Sequence, residues 1–597
     1  MRIKRFLVYF LVLNALFCAN SLVSQTVTTT LDSDVRDVSN LDIGFNRRSD
    51  QGIWWTDNSF IDIVSEMNPN VVRYPAGTQA NYWDWREGKF LENTDKSWNN
   101  KEVVTIPTFV NVLPDRTKAI YVVNIARPTP ITGVDVNASE ADLKSQATLD
   151  AKIVDMLAAI AEFDTQGKLP FAIELGNEFY FGNIESGIFQ IVESNGLYYS
   201  GWDDANNQPF VSNSKADATE ITAKFYLEQC KDIVSAIKAA YPSIKIVITT
   251  TKGGTSARDR WNNTIFDELQ NNSSYTSLKN DTYAVTQHFY IKDGLLTAIT
   301  DNASSKVAIA EGIEYPISKQ SDYNLVPNDY KIYITEYGAT KGIAEETWAS
   351  AVRYAAFTYG WIELGDKIEQ LDWHYISDNN VVNDDNLPMK LAPVGIAVKM
   401  LQQAAVDMTE MQEISFSPNP ISVNAVNSLY GLKFKSNQKE TLFIFNTSDA
   451  DFSQVQFSDL FTYTSQPTMT QHYSNAPYVS GVYEGHSNIV VINSDVTASV
   501  DINKFSITVI ESKNETLDVA DFSINKVIFY PNPVKDMLYV KTENKINSIS
   551  IFNINGLKVF EGNLVDNKID LSTLNSGIYF VKIETENEST FKKIIKN

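Results

Sequence analysis

The sequence predicts an α/β fold, a (β/α)8 TIM barrel with an associated β-sandwich and a small C-terminal all-β domain. Three observations carry that prediction. Between Leu41 and about Met400, short apolar runs alternate with amphipathic helical stretches, the pattern of a parallel sheet wrapped by helices. From residue 401 onward the runs read as strands without intervening helices. The last block consists of alternating apolar segments bounded by Asn-Gly and Ser-Gly turns, which describe hairpins. The length of 597 residues agrees, because at roughly 150 residues per domain it holds three or four, of which a barrel of about 250 residues absorbs two.

Taken in order, the chain opens with MRIKRFLVYFLVLNALFCANSLVSQT, a basic start followed by an apolar run too short to span a membrane. Residues 1–24 therefore read as a secretory signal peptide. Loss of that leader removes Cys18 and leaves Cys230, so no intrachain disulfide is possible. Eight candidate barrel strands follow: LDIGFN, NVVRYPAG, KAIYVVNIA, FAIELGNEF, KIVITTTKG, TYAVTQHFYI, KIYITEYGA and IEQLDWHYIS. Helical stretches precede the fourth and fifth and follow the seventh. In the second of these, Tyr226, Cys230, Ile233 and Ile237 share one face, which favours a buried core thiol over a nucleophile. The barrel spans 25–400, with 25–40 contributing a strand to the β-sandwich of 401–512; 513–525 is a polar linker and 526–597 the C-terminal domain. For 401–512, a structural companion of the barrel is preferred over a separate binding module.

Composition narrows the class. With 43% hydrophobic, 12% aromatic and 21% charged residues, the chain is neither collagen-like, nor a coiled coil, nor wholly disordered. A net charge of −23 argues against a phosphate-neutralising surface, hence against nucleic acid as a partner. Both ends are basic: Arg2, Lys4 and Arg5 open the leader, and residues 526–597 hold ten Lys against eight acids. The body between them is more acidic than the whole.

Chemistry in such a barrel sits at the C-terminal ends of the strands. Strand four ends in Gly176, Asn177 and Glu178, strand six in Gln287, His288, Phe289 and Tyr290, strand seven in Thr335, Glu336 and Tyr337. A carboxylate leaving an apolar strand at the mouth is costly unless it works or is paired. Two of them are the minimum equipment for cleaving a glycosidic bond, although each alone reads more often as a structural hydrogen-bond acceptor. No H-E-x-x-H or clustered ligand spacing appears among the four His, so no metal and no cofactor is expected, and a structural calcium ion is left open.

The order GNE on strand four and TEYG on strand seven resembles glycoside hydrolase clan A, a group of retaining (β/α)8 enzymes. The likeness extends to VRYPAG on strand two, to His-x-Tyr on strand six and to a Trp on strand eight. The layout of barrel plus sandwich is similar to families 51, 39, 30 and 79. The resemblance implies Glu336 as nucleophile, held by Arg73 and Tyr290, and Glu178 as acid/base, kept protonated by less solvated, like-charged surroundings. It implies Asn177 at the 2-hydroxyl, His288 at the site and Trp373 as a sugar platform. In family 51 the strand-two motif carries two adjacent Gly, and here Ala76 replaces the first, so substrate does not transfer from that family.

The blocks YPNP, N-x-x-G, L-x-x-L-x-S-G-x-Y and the basic end resemble the type A C-terminal sorting domain of the type IX secretion system of Bacteroidetes. That implies export through the periplasm to the exterior or cell surface, with the secretion machinery as partner and no integral membrane segment. The alternative is a carbohydrate-binding or immunoglobulin-like module.

For the substrate, Tyr82, Trp83 and Trp85 after strand two read as sugar-stacking surfaces or as core packing. Cations recur after the strands: Arg47 and Arg48, Arg127, Lys252 with Arg258 and Arg260, Lys292, and Lys341. Either they are solvated loop charges partnered with nearby acids, or they meet sulfate or carboxylate groups on an anionic, algal poly- or oligosaccharide. The alternatives are a glycosidase of neutral glycans (arabinofuranosidase, xylosidase or β-glucanase type) and a non-catalytic glycan-binding protein.

Overall fold

The computed structural model describes residues 26–596 apart from 47–51, 76, 91–103, 126–145, 183–190, 204–207, 292–296, 340–345, 375, 377–379, 384–387, 515–526, 531, 543–545, 563–567 and 586–588. The signal peptide and most of the linker lie outside the described residues. Two compact units, 1–514 and 515–597, make up the chain.

In the first unit eight strands close into one parallel barrel: Asp42–Asn46, Val71–Tyr74, Lys118–Val123, Ala172–Leu175, Lys245–Thr249, Thr282–Ile291, Lys331–Ala339 and Ile368–His374. We call them barrel strands one to eight; the eighth pairs with the first, Asp372 opposite Gly44. Their runs of Val, Ile and Tyr suit strands buried on both faces, as a helix-wrapped parallel sheet requires. At the floor of the barrel, Val71, Ile120, Ala172, Val247, Ala284 and Tyr333 form a cluster of their own. Two residues further along strands two and four, on the same face, come Arg73 and Glu174. The interior therefore changes from apolar to charged within one side-chain layer.

Outside, the helix Trp348–Glu363 is buried nearly all round, because it lies between the barrel and the sandwich. The helix Lys215–Ala240 buries Tyr226, Cys230, Ile233 and Ile237 together, and the thiol is fully enclosed. A sheet of three short strands, Ile191–Ser194, Leu197–Asp203 and Gln208–Ser212, is inserted between barrel strand four and that helix.

The sandwich is built from both ends of the unit. Thr28–Leu31 pairs antiparallel with Glu410–Ser417 at the edge of an eight-stranded sheet. In the central strand Lys439–Asn446, alternate side chains serve different cores. Leu442 and Ile444 join the sandwich interior, whereas Phe443 and Phe445 join the core shared with the barrel. An ion pair is enclosed here: Lys433 Nζ lies 2.8 Å from Glu440 Oε1, with side-chain exposures of 4% and 0%. Glu440 also accepts from the Thr462 amide at 2.6 Å and the Tyr463 amide at 3.0 Å.

The second unit holds a three-stranded and a four-stranded antiparallel sheet around Val534, Leu538, Val540, Ile549, Ile551, Val581, Ile583 and Ile594. Its N-x-x-G turn is set by Asn553, whose side chain accepts from the amides of Asn555 and Leu557. Gly556 follows with φ of 77°.

Removing one partner of a buried pair leaves an uncompensated charge. Lys433→Ala is therefore expected to lower stability by about 3 kcal/mol, read as a lower urea midpoint with an unchanged slope.

Candidate active site

The strand ends bring Glu178 and Glu336 together at the mouth of the barrel, both in reach of His288. Gly176 follows barrel strand four with φ of 76°, and a Cβ there would lie 2.0 Å from the Phe179 ring. The turn then places Glu178 itself in the left-handed region, φ 54° and ψ 33°. A Glu rarely adopts that conformation, and such backbone is concentrated at functional sites.

Arg73, fully buried, is the hub. Its Nε and Nη2 bond Glu174 at 2.6 and 2.7 Å, its Nη2 bonds Asn177 Oδ1 at 2.7 Å, and its Nη1 bonds Glu336 Oε1 at 2.7 Å. Tyr290 donates its hydroxyl to the other oxygen of Glu336. His288 lies between the two mouth carboxylates: Nδ1 is 3.0 Å from Glu178 Oε1 and 3.6 Å from Glu336 Oε2, while Nε2 is 3.0 Å from Thr335 Oγ1. Tyr180 donates to Glu178 Oε1 at 2.8 Å.

Burial opposes ionisation of Glu336, but His288, Arg73 and the Tyr290 hydroxyl outweigh it and hold the carboxyl well below its ordinary range. For His288, burial disfavours the cation, and the neighbouring Glu336 and Glu178 raise its pKa nonetheless. Burial pushes His374 down to about 4. Its Nδ1 faces the Asn46 amide nitrogen at 3.1 Å, so Nδ1 accepts and the ring proton sits on Nε2.

Several expectations need correction. Trp373 is 1% exposed, with its indole N–H on Asn380 Oδ1 at 2.7 Å and its ring edge-on to Tyr337 and Tyr354. It faces the surrounding helices, and it is His374, next along the strand, that faces the site. Trp83 is also 1% exposed, edge-on to Tyr74, and Tyr82 is fully buried. Neither Trp offers a free face to a sugar. Trp85 is half-buried, bonds Asp155 at 3.0 Å, and has the Arg86 guanidinium 4.5 Å above its ring. Glu178 is the more exposed carboxylate, 19% against 6% for Glu336. What separates the two is therefore the placement of cations and donors around Glu336, and not poorer solvation of Glu178. Arg260 is paired with Glu220 and Asp217. Arg47, Arg48, Arg127, Lys292 and Lys341 lie outside the described residues.

The motifs did not single out Glu174, Asn81, Tyr180, Asn46 or His374. Asn81 clasps Asn177 by both ends of its backbone unit, donating to the carbonyl at 2.8 Å and accepting from the amide at 3.2 Å. The Asn177 side-chain nitrogen is left buried with no partner among the described residues.

Glu178, His288 and Glu336 bring three ligand-type atoms within 4.8 Å of one another. The carboxylate of Glu336 already accepts from Arg73 and Tyr290, and a guanidinium beside it opposes a metal cation; we assign none.

Residues 528–597 match the family model of the secretion system C-terminal sorting domain. The second unit is such a sorting domain. No curated protein matches the sequence. Among solved structures, the family 51 arabinofuranosidase of Xanthomonas axonopodis pv. citri is 12% identical, TM-score 0.56, over 81% of this chain and 99% of that one. The α-L-arabinofuranosidase of Thermotoga maritima is 12% identical, TM-score 0.53, over 82% and 99%. CelM2, a bifunctional glucanase-xylanase from a metagenome library, is 13% identical, TM-score 0.52, over 82% and 99%. The first unit shares their fold. No helix among the described residues is long and apolar enough to cross a membrane.

Two variants test the geometry. Tyr290→Phe removes a donor to ionised Glu336, so its depressed pKa rises and the acid limb of kcat/KM moves up by about one pH unit. At Gly77 a Cβ would lie 2.3 Å from Glu336 Oε1; Gly77→Ala is expected to cut kcat about tenfold or more and to lower the melting temperature, because the buried Arg73–Glu336 pair is disturbed.

Proposed function

We propose that this protein is an exported glycoside hydrolase that cleaves a poly- or oligosaccharide by double displacement with retention. One observation carries the reading: one carboxylate oxygen of Glu178 lies within 4.8 Å of one of Glu336, with His288 in reach of both. Retention needs carboxyl groups about 5–5.5 Å apart, whereas inversion needs roughly 6.5–9.5 Å to admit a water.

Glu336, ionised and held in place by Arg73 and Tyr290, attacks the anomeric carbon. The bond to the leaving oxygen breaks as Glu178 gives that oxygen its proton. Formation of the ester cancels the charge on Glu336, and Glu178, now a carboxylate, takes a proton from the water that attacks the same carbon and frees Glu336. The unpartnered N–H of Asn177 is a donor for the 2-hydroxyl, whose bond tightens as the oxocarbenium ion develops. His288 holds Glu178 in position, and neutral His374 lines the wall beside Glu336.

The leader and the sorting domain support export by the type IX route, through the periplasm, to the surface or exterior. For the substrate we favour an anionic glycan, since cations follow several barrel strands of an acidic chain. Two structural relatives are arabinofuranosidases, which supports a neutral glycan as second reading.

Proton NMR of the first product formed from a cleaved glycan is expected to show the anomer of the substrate; the opposite anomer would sink the mechanism. Glu336→Ala should lose activity by about 10⁴-fold or more, with partial rescue by azide and an azido sugar of inverted configuration. Glu178→Ala should keep glycosylation of substrates whose leaving group needs no proton.

A further inference from the structure

The loop after barrel strand five places a cation beside the proposed acid/base. Arg258, half-buried at the start of the helix Ser256–Asn271, has its guanidinium carbon 5.7 Å from the centre of the Tyr180 ring and 5.0 Å from that of Phe181. Tyr180 is the residue whose hydroxyl bonds Glu178. The other described cations near the mouth are engaged: Arg86 by Asp155, Arg260 by Glu220 and Asp217. Arg258 has no carboxylate partner and no side-chain hydrogen bond among the described residues. Two nearby acids each give an oxygen to backbone: Asp322, from the helix Gln320–Leu325, accepts from the Gly253 amide at 2.6 Å, and Asp259 accepts from the Gly254 amide at 3.0 Å. Lys252 stands on the same side, its Nζ 3.4 Å from the Tyr315 hydroxyl, which itself donates to the Tyr290 carbonyl at 2.9 Å.

A guanidinium laid against aromatic faces is fixed in orientation while its five N–H donors are left to an acceptor. Glu178 protonates the leaving oxygen, so whatever sits beside Glu178 meets the sugar that leaves. We infer that Arg258, with Lys252, forms a subsite for an oxyanion, a sulfate ester or a carboxylate, on the leaving-group sugar. This rests on the glycosidase reading and adds to it which side of the scissile bond carries the charge. Arg binds such groups through two parallel N–H bonds, and its stacking on Tyr180 couples an occupied subsite to the placement of the acid/base.

The test uses the full mature chain and two matched pairs of polysaccharide: a sulfated galactan with its desulfated form, and a glucuronoxylan with its carboxyl-reduced form. Which pair responds separates sulfate from carboxylate. Wild type is expected to cleave the charged member of one pair with kcat/KM about ten- to a hundredfold above its neutral partner, an advantage that added salt shrinks. Arg258→Ala should abolish the advantage, and Arg258→Lys should restore part of it, each with an unchanged melting temperature. Product ends identify the leaving-group sugar as the one that bears the charge. A wild type that cleaves a pair without charge preference, or an advantage that survives in Arg258→Ala, overturns this subsite and leaves the glycosidase reading standing. A wild type inert on all four polysaccharides likewise overturns this subsite.

Discussion

Everything at the mouth of the barrel is referred to one buried cation. Arg73 is fully enclosed, and a guanidinium taken out of water is tolerable only when its donors and its charge are both answered. Glu174 answers two donors in a parallel pair, which fixes the guanidinium plane; Asn177 and Glu336 take what that plane leaves. Three barrel strands, the second, fourth and seventh, are thereby tied at one height. The proposed nucleophile is a by-product of that tie, because its ionised state is one of the conditions for burying the arginine.

The two mouth carboxylates are chemically identical and close together, yet their surroundings differ in kind. Glu336 is met by a guanidinium and a phenol, both of which favour its anion. Glu178 is met by a phenol and an imidazole, sits on strained left-handed backbone, and is the more open to solvent. Division of roles in this site thus follows from what each oxygen touches more than from depth of burial.

The fold was legible because parallel strands and their helices have different periods, and the strands carry apolar runs that a helix pattern interrupts cleanly. Asn177, Glu178, His288, Tyr290 and Glu336 stood out for a related reason, since each is a polar residue at the end of an apolar strand, whereas Arg73 stood out only through the resemblance of VRYPAG to clan A. Trp373 and Trp83 were not, because an aromatic residue near a strand end has no mark in the sequence that says which face it takes. On strand eight the alternation that turns Trp373 outward is what turns His374 inward. Glu174 had a signal, a charge in the middle of a strand two positions before Gly176. Its partner, however, lies 101 residues away on another strand, and only closure of the barrel brings them together.

The edge of the sandwich sheet gives the chain a particular order of assembly. Thr28, two residues past the first described position, bonds Ser417, 389 residues later. During synthesis, when the chain emerges from its amino end, that opening strand has nothing to pair with until nearly the whole barrel has been made. That ladder cannot close until residue 417 has been made, after all eight barrel strands, so it acts as a clasp that fastens the amino end over the barrel.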